Sequence, residues 1–284
     1  MTEITASQPL SLAEQMLYSV ARITAFRNGV PLSFGTAFYW SVPAVNDQHM
    51  LLLITNKHVI EGADEIRLMA HLSPSMEEPG PSGDFANCNI KLEAPGLFPH
   101  PDPNIDLVAI NFSDMIRQSV AHGRPIYAIG LNSDFIPSNE QWTFFDAFEE
   151  VMMIGCPRGI FDQHNISPIS RRGISATPLS NLYEGREEFL VDMACFPGSS
   201  GSPVFMVNQS GFLDRKTNTY RMGEGRFFFL GILYAGPTIT HEGLIVLHQQ
   251  PTAQIATMMH LGQCVRSSKV LDIEALALAA LKAS

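Results

Sequence analysis

The sequence predicts an all-β chain in two antiparallel halves, with short helices at its ends. Three observations predict it. Short apolar or alternating runs of strand length recur along the 284 residues, separated by connections rich in Pro and Gly. The stretch 113–150 interrupts that rhythm and divides the runs into two groups. Strands do not alternate with amphipathic helices, which argues against a parallel doubly wound sheet.

In chain order, "SLAEQMLYSVARITAF" (11–26) starts as a short helix and ends in a strand. Strand signals follow at "GTAFYW" (35–40), "MLLLIT" (50–55), "EIRLMA" (65–70) and "DLVAINF" (106–112). Between them "SPSMEEPGPSGDF" (73–85) and "FPHPDPN" (98–104) read as irregular connections, since Pro and Gly break ladders and make turns. Residues 113–150 are mixed, aromatic and partly helical, and read as a crossover. Strand signals resume at "VMMIGCP" (151–157), "RRGISAT" (171–177), "EFLVDMA" (188–194), "SPVFMV" (202–207), "RFFFLGILYA" (226–235) and "GLIVLHQ" (243–249). "QIATMMHLGQ" (254–263) and "VLDIEALALAALKA" (270–283) have helical composition. The reading is one domain over 1–284: a first β half at about 18–115, a crossover at about 116–150, a second β half at about 151–250 and a helical segment at about 251–284.

Composition bounds the function. A chain 45% hydrophobic and 16% charged can bury a sizeable core. The net charge is −10 and the densest basic cluster is Arg171-Arg172, so a phosphate-tracking nucleic-acid binder is disfavoured. Four scattered cysteines, Cys88, Cys156, Cys195 and Cys264, form no CxxC and no zinc spacing with histidine. Buried reduced thiols are the expectation, with no metal and no cofactor. The opening residues carry Glu3 and Glu14 without a basic and apolar signal pattern, and no run of apolar residues is long enough to cross a membrane. The expected setting is the cytoplasm.

The chemistry lies in "ACFPGSSGSPVF" (194–205). Gly, Ser and Pro dominate turns for backbone reasons alone, but glycines can also let backbone N–H groups converge on one oxygen. Two other residues decide between these readings. His58 in "LLLITNKHVIEGA" follows an apolar strand, and Asp106 in "DPNIDLVAINF" precedes one. Each alone reads as an ordinary surface histidine or a turn carboxylate. Together, His58, Asp106 and Ser200 run in the order base, acid, nucleophile, with base and acid in the first half and serine in the second.

In that order the sequence resembles the trypsin-like (chymotrypsin-fold) serine peptidases. "TNKHV" resembles their histidine motif, "DLVAI" their aspartate motif and "PGSSGSP" their G-x-S-G-x-P serine motif. "VMMIGCPRGI" and "RRGISAT" resemble strands that open the second barrel in bacterial HtrA-type members. The resemblance implies two antiparallel β-barrels of roughly six strands each, with a cleft between them. It implies a peptidase acting on a protein or peptide substrate, with Ser200 as nucleophile, His58 as base and Asp106 as its orienting acid. The backbone N–H groups of Gly198 and Ser200 would form the oxyanion hole. Ala194, six residues before the nucleophile, would floor the substrate pocket, and Leu233 and Tyr234 of "GILYAG" would line a wall, giving a preference for apolar residues before the cut.

Departures from the family pattern carry expectations too. Secreted trypsins place an acidic residue before the nucleophile to receive a freshly cut N-terminus; here that residue is Ser199. No maturation cut is expected, which leaves neighbouring loops, the substrate or a regulatory protein partner to order the turn. The loop "RGIFDQHNISPISRR" (158–172) and the crossover around "NEQWTFFDAFEEV" are the candidate loops. After the second half no room remains for a PDZ domain. Two rivals stand against the peptidase reading. An α/β-hydrolase needs G-x-S-x-G followed by acid and histidine; Gly198–Ser202 fails the last glycine, although Asp214 with His241 or His248 follows in order. A non-catalytic protein of trypsin-like fold, acting as a binding module, keeps the same motifs.

Overall fold

The computed structural model describes residues 9–45, 48–236, 238–244 and 252–283. The N-terminal half starts with helix α1 (Leu12–Leu17), whose start is set by a capping box: Ser11 Oγ accepts from Glu14 N–H while Glu14 accepts from Ser11 N–H. Strands β1 (Val20–Arg27), β2 (Val30–Val45) and β3 (Gln48–Thr55) follow as an antiparallel meander. Next come the four-residue helix α2 (Lys57–Ile60), β4 (Glu65–Leu72), β5 (Phe85–Lys91), β6 (Leu97–Pro99) and β7 (Val108–Asn111). Helix α3 (Ser113–Ala121), the short β8 (Ile126–Tyr127) and α4 (Asn139–Thr143) make up the connecting segment.

The sheet order is β5-β4-β1-β2-β3-β7-β6, with β8 paired to β4. Its two ends share no ladder among the described residues. Side chains from six of its strands nevertheless meet in one core, among them Ile23, Tyr39, Leu53, Ile66, Cys88 and Ile110. The sheet therefore curls around a common interior.

The C-terminal half contains β9 (Glu150–Gly155), β10 (Ile169–Ser175), β11 (Glu188–Asp192), β12 (Pro203–Asn208), the hairpin β13 (Gly211–Asp214) and β14 (Thr219–Met222), β15 (Arg226–Ala235), β16 (Thr238–Leu244), β17 (Thr252–Met258) and β18 (Leu261–Arg266). Six of them close a barrel in the order β10-β11-β18-β15-β12-β9. Helix α5 (Val270–Ala283) follows.

Two expectations need correction here. Residues 254–263, read as helical, fall in β17 and β18 instead. Ala, Met and Gln are good helix formers, but tertiary pairing overrides propensity: residues 261–266 fill the slot between β11 and β15 that closes the barrel. The helical segment thus begins near 267–270 rather than 251, and the barrel's closing strand lies beyond 250. Of the strand expected at 243–249, Gly243 and Leu244 end β16, and the rest lies outside the described residues.

The halves share a core. Phe38, Trp40, Leu52 and Ile54 of the first pack with Phe205, Phe229, Ile232 and Val265 of the second and with Val270, Ile273 and Ala277 of α5. The rings of Phe38 and Phe229 meet edge-on at 5.3 Å. This packing fixes the relative position of the two halves. The fold is all-β, of the chymotrypsin-like double-barrel type.

Candidate active site

Strand register explains how residues 48 positions apart meet. β3 ends at Thr55, which pairs with Val108 at the start of β7. His58 on α2 and Asp106 before β7 therefore leave the same end of neighbouring strands. His58 Nδ1 lies 2.5 Å from Asp106 Oδ2, and its backbone N–H donates to Asp106 Oδ1 at 3.1 Å. Asn56 Nδ2 donates to the Asp106 carbonyl at 2.7 Å. The carboxylate is thus gripped through both oxygens and its own backbone. The His58 side chain is 44% exposed and open to a ligand, while Asp106 behind it is 23% exposed.

Ser200 enters from the other half. Strand β2 brings the two together at Gly35. A Cβ on Gly35 would stand 2.6 Å from Val59, next to His58, and 3.3 Å from the Ser200 carbonyl. Only a bare backbone lets these segments close. Thr36, fully buried, then ties the turn down. Its N–H donates to the Ser200 carbonyl at 2.9 Å and its Oγ1 to the Gly198 carbonyl at 3.1 Å.

Residues 196–199 form a tight turn closed by Ser199 N–H on the Phe196 carbonyl at 3.0 Å, with Pro197 second and Gly198 third at φ +86°. That φ and that residue order belong to a type II turn. A Cβ on Gly198 would also lie 2.7 Å from Phe34. The Pro197 carbonyl accepts from Arg158 N–H at 2.5 Å. Because C=O and N–H of a trans peptide point to opposite sides, Gly198 N–H faces away from Arg158. The same holds two peptides on: the Ser199 carbonyl accepts from Ser202 N–H at 3.0 Å, so Ser200 N–H faces the other way. Neither Gly198 N–H nor Ser200 N–H has an acceptor among the described residues.

Sequence reasoning missed the residue that holds this loop at both ends. Arg171 on β10 reaches the Ala194 carbonyl with Nη1 and Ser199 Oγ with Nη2 at 2.9 Å. Its Nε is buried without an acceptor. Burial pulls its pKa down from the ordinary arginine value. No local sequence signal marks this role, since Ala194 and Ser199 lie 23 and 28 residues from Arg171. Thr36 and Asn56 also went unnoticed, since a Thr in a strand and an Asn before a helix are ordinary residues.

The expected substrate-pocket residues fare differently. Ala194 is half-buried and its carbonyl is held by Arg171. Leu233 does not line a cleft wall. Its side chain is 2% exposed within the second barrel's core beside Phe189, Met193 and Cys195. Its backbone serves the site instead, accepting from Gly201 N–H at 2.8 Å and donating to the Ser202 carbonyl at 3.0 Å. Tyr234 packs on the core shared by the halves, and its hydroxyl pairs with Glu188; burial raises its pKa. Alternation along β15 sends these neighbours to opposite faces. Among the described residues no group of three or more His, Cys, Asp or Glu is placed to hold a metal ion. His241 belongs to β16, and His248 lies outside the described residues.

The fold is chymotrypsin-like, and Gly35 lies between the segment that carries the histidine–aspartate pair and the serine turn. No protein family and no curated protein sequence matches the chain. Among solved structures it is similar to the Rv3671c protease in an inactive form, at 14% identity and a TM-score of 0.41, covering 92% of this chain and 89% of that one. It is also similar to the serine endoprotease from Yersinia pestis, at 14% identity and a TM-score of 0.47, covering 95% of this chain and 68% of that one.

Proposed function

We propose that the chain is a serine endopeptidase that hydrolyses peptide bonds through an acyl-enzyme on Ser200. The observation that supports it is a His58–Asp106 pair and, across Gly35, a turn that leaves two backbone N–H groups without acceptors among the described residues beside a serine. A neutral imidazole donating Nδ1–H to Asp106 carries its lone pair on Nε2. As Ser200 Oγ bonds to the scissile carbonyl carbon, its proton passes to His58 Nε2. The carbonyl electron pair moves onto oxygen, where Gly198 and Ser200 N–H would receive it; one such donor is worth about 3 kcal/mol. Collapse breaks the C–N bond, and His58 gives its proton to the departing amine. Water then attacks the ester with His58 as base, the acid product leaves, and the proton returns to Ser200 Oγ.

Arg171 acts here as a positioning residue, since it touches neither nucleophile nor substrate. Its two arms hold the loop 194–199 at both ends. It supplies the order that a cut N-terminus supplies in secreted trypsins, so the uncut chain is active. Ala194 offers no carboxylate to select Lys or Arg before the cut. Cys88, Cys156, Cys195 and Cys264 are free and buried, which suits a reducing compartment such as the cytoplasm. No described helix is long and apolar enough to cross a membrane.

The test is labelling of the full chain with a fluorophosphonate probe, read by peptide mass spectrometry. Modification at Ser200, absent in Ser200→Ala and slowed in His58→Ala, is the expected result. A folded chain that the probe never labels would instead be a binding module of this fold.

A further inference from the structure

A cavity of about 400 Å³ lies away from the catalytic groups, between the N-terminal sheet and the segment 156–168. Its origin is a divergence of strands. β1 pairs with β4 only from Thr24 to Phe26, although β4 runs on to Leu72. Where that ladder ends the strands part, and the gap is lined by the rings of Tyr18, Phe26 and Phe161 and by the polar groups of Arg22, Asn87 and Asn89. The volume falls within the range of small-molecule sites and far exceeds one water's share of about 30 Å³.

The charge in this cavity is unevenly committed. Arg67 is already paired with Glu65 and stacked 4.0 Å over Phe26. His71 Nε2 contacts the Ile166 carbonyl at 3.2 Å. Arg22 has a ring but no anion: its guanidinium lies 5.4 Å over the Phe161 ring, while its buried Nε finds no acceptor among the described residues. A buried donor left unpaired is destabilising, and an anion in the cavity would relieve it. Arg22 also abuts the opposite wall, since a Cβ on Gly159 would stand 3.3 Å from its Nε. The residue before Gly159 is Arg158, whose N–H holds the Pro197 carbonyl.

We propose that this cavity binds a small organic anion, an acidic head on an aromatic or apolar body, which pairs with Arg22 and fastens segment 156–168 against the N-terminal sheet. Bound ligand holds Arg158 N–H on the Pro197 carbonyl and so keeps Gly198 N–H facing the substrate. The regulatory half of this inference rests on the peptidase reading; the binding half does not.

The experiment titrates the full chain calorimetrically with phenyl phosphate and benzoate, using inorganic phosphate and benzyl alcohol as half-ligands. At least one aromatic anion is expected to bind at least tenfold tighter than either half-ligand. Arg22→Met should abolish that binding with the fold retained by circular dichroism, and Arg22→Lys should keep part of it. Hydrogen exchange of amides in 156–168 should slow on binding, and peptidase turnover should rise. Equal binding by Arg22→Met, or by Arg22→Lys and the half-ligands alike, overturns the site. Binding that leaves exchange in 156–168 unchanged overturns the coupling. Failure of Ser200 to take a fluorophosphonate speaks against the peptidase and leaves the binding result standing.

Discussion

The two halves bring their parts of the site into place by different means. In the N-terminal half, His58 and Asp106 are set by one strand pairing and its two exits, so local backbone register does most of the work. In the C-terminal half, Ser200 sits in a turn that follows no strand register. That turn is held from outside: by Thr36 from β2, Arg158 from the 156–168 segment and Arg171 from β10. A base and its acid need only each other and tolerate local construction. An oxyanion site needs two N–H groups left without partners, and such groups stay aimed only when everything around them is tied.

The contrast can be broken first at its most sensitive points. Ser200→Ala and His58→Ala should each lower kcat by on the order of 10⁴-fold or more in a peptide assay, with an unchanged circular dichroism melt. A Ser200→Ala chain that cleaves at the parent rate removes the nucleophile from the scheme. Arg171→Met should lower kcat by on the order of 10- to 100-fold, with KM changing less, because the loop is loosened and no substrate contact is deleted. Arg171→Lys should recover only part, since an ammonium lacks the fork that spans two acceptors. The parent should hold its activity above pH 9, where an N-terminal ammonium would have lost its proton and a guanidinium has not. If Arg171→Met lowers the melting temperature and leaves kcat alone, the loop is self-ordering and the contrast fails.

Gly198→Ala sharpens the comparison from within the turn. At φ +86°, with Phe34 at 2.7 Å from any Cβ, it should cost about 1–3 kcal/mol in urea unfolding and more in kcat than in KM. The smallest effect falls on the core shared by both halves. Trp40 Nε1 donates to Glu274 Oε2 at 2.7 Å, and burial holds the Glu274 pKa above its ordinary value. An acid with a raised folded pKa destabilises the native state above that pKa, and the penalty fades as pH falls to the unfolded value. Glu274→Gln should therefore raise the melting temperature at pH 7 and lose that advantage as pH falls through the carboxylate range.

Much of this was legible in the sequence. Strands such as "MLLLIT" and "RFFFLGILYA" are apolar on both faces, and β3 and β15 lie where those runs stand. The segment β5 was not legible because an edge strand buries little: of "FANCNIK" only Cys88 is buried, and the rest reads as loop. β18 was hidden by helix-favouring neighbours and revealed only by the slot it fills. In the site, His58 and Asp106 are ordinary residues taken singly; their order before Ser200 and the motifs around all three singled them out. Arg171 was not legible in that role, since its partners Ala194 and Ser199 are 23 and 28 residues away and one of them is a backbone carbonyl. Leu233 was misplaced because an apolar run does not tell which face of a strand turns inward.

Helix α5 has a consequence for the order in which the chain is made. Trp40 and Glu274 are 234 positions apart, and His100, whose carbonyl takes the Lys57 ammonium beside His58, meets Asp272 of the same helix at 3.1 Å. A ribosome delivers the histidine and aspartate long before it delivers the helix that braces them, and contacts so distant in sequence form late. A nascent chain therefore carries His58, Asp106 and Ser200 while Trp40 and His100 still lack their partners on the helix. Helix α5 sets the moment at which these distant contacts can close, well after the His58–Asp106 pair has been synthesised.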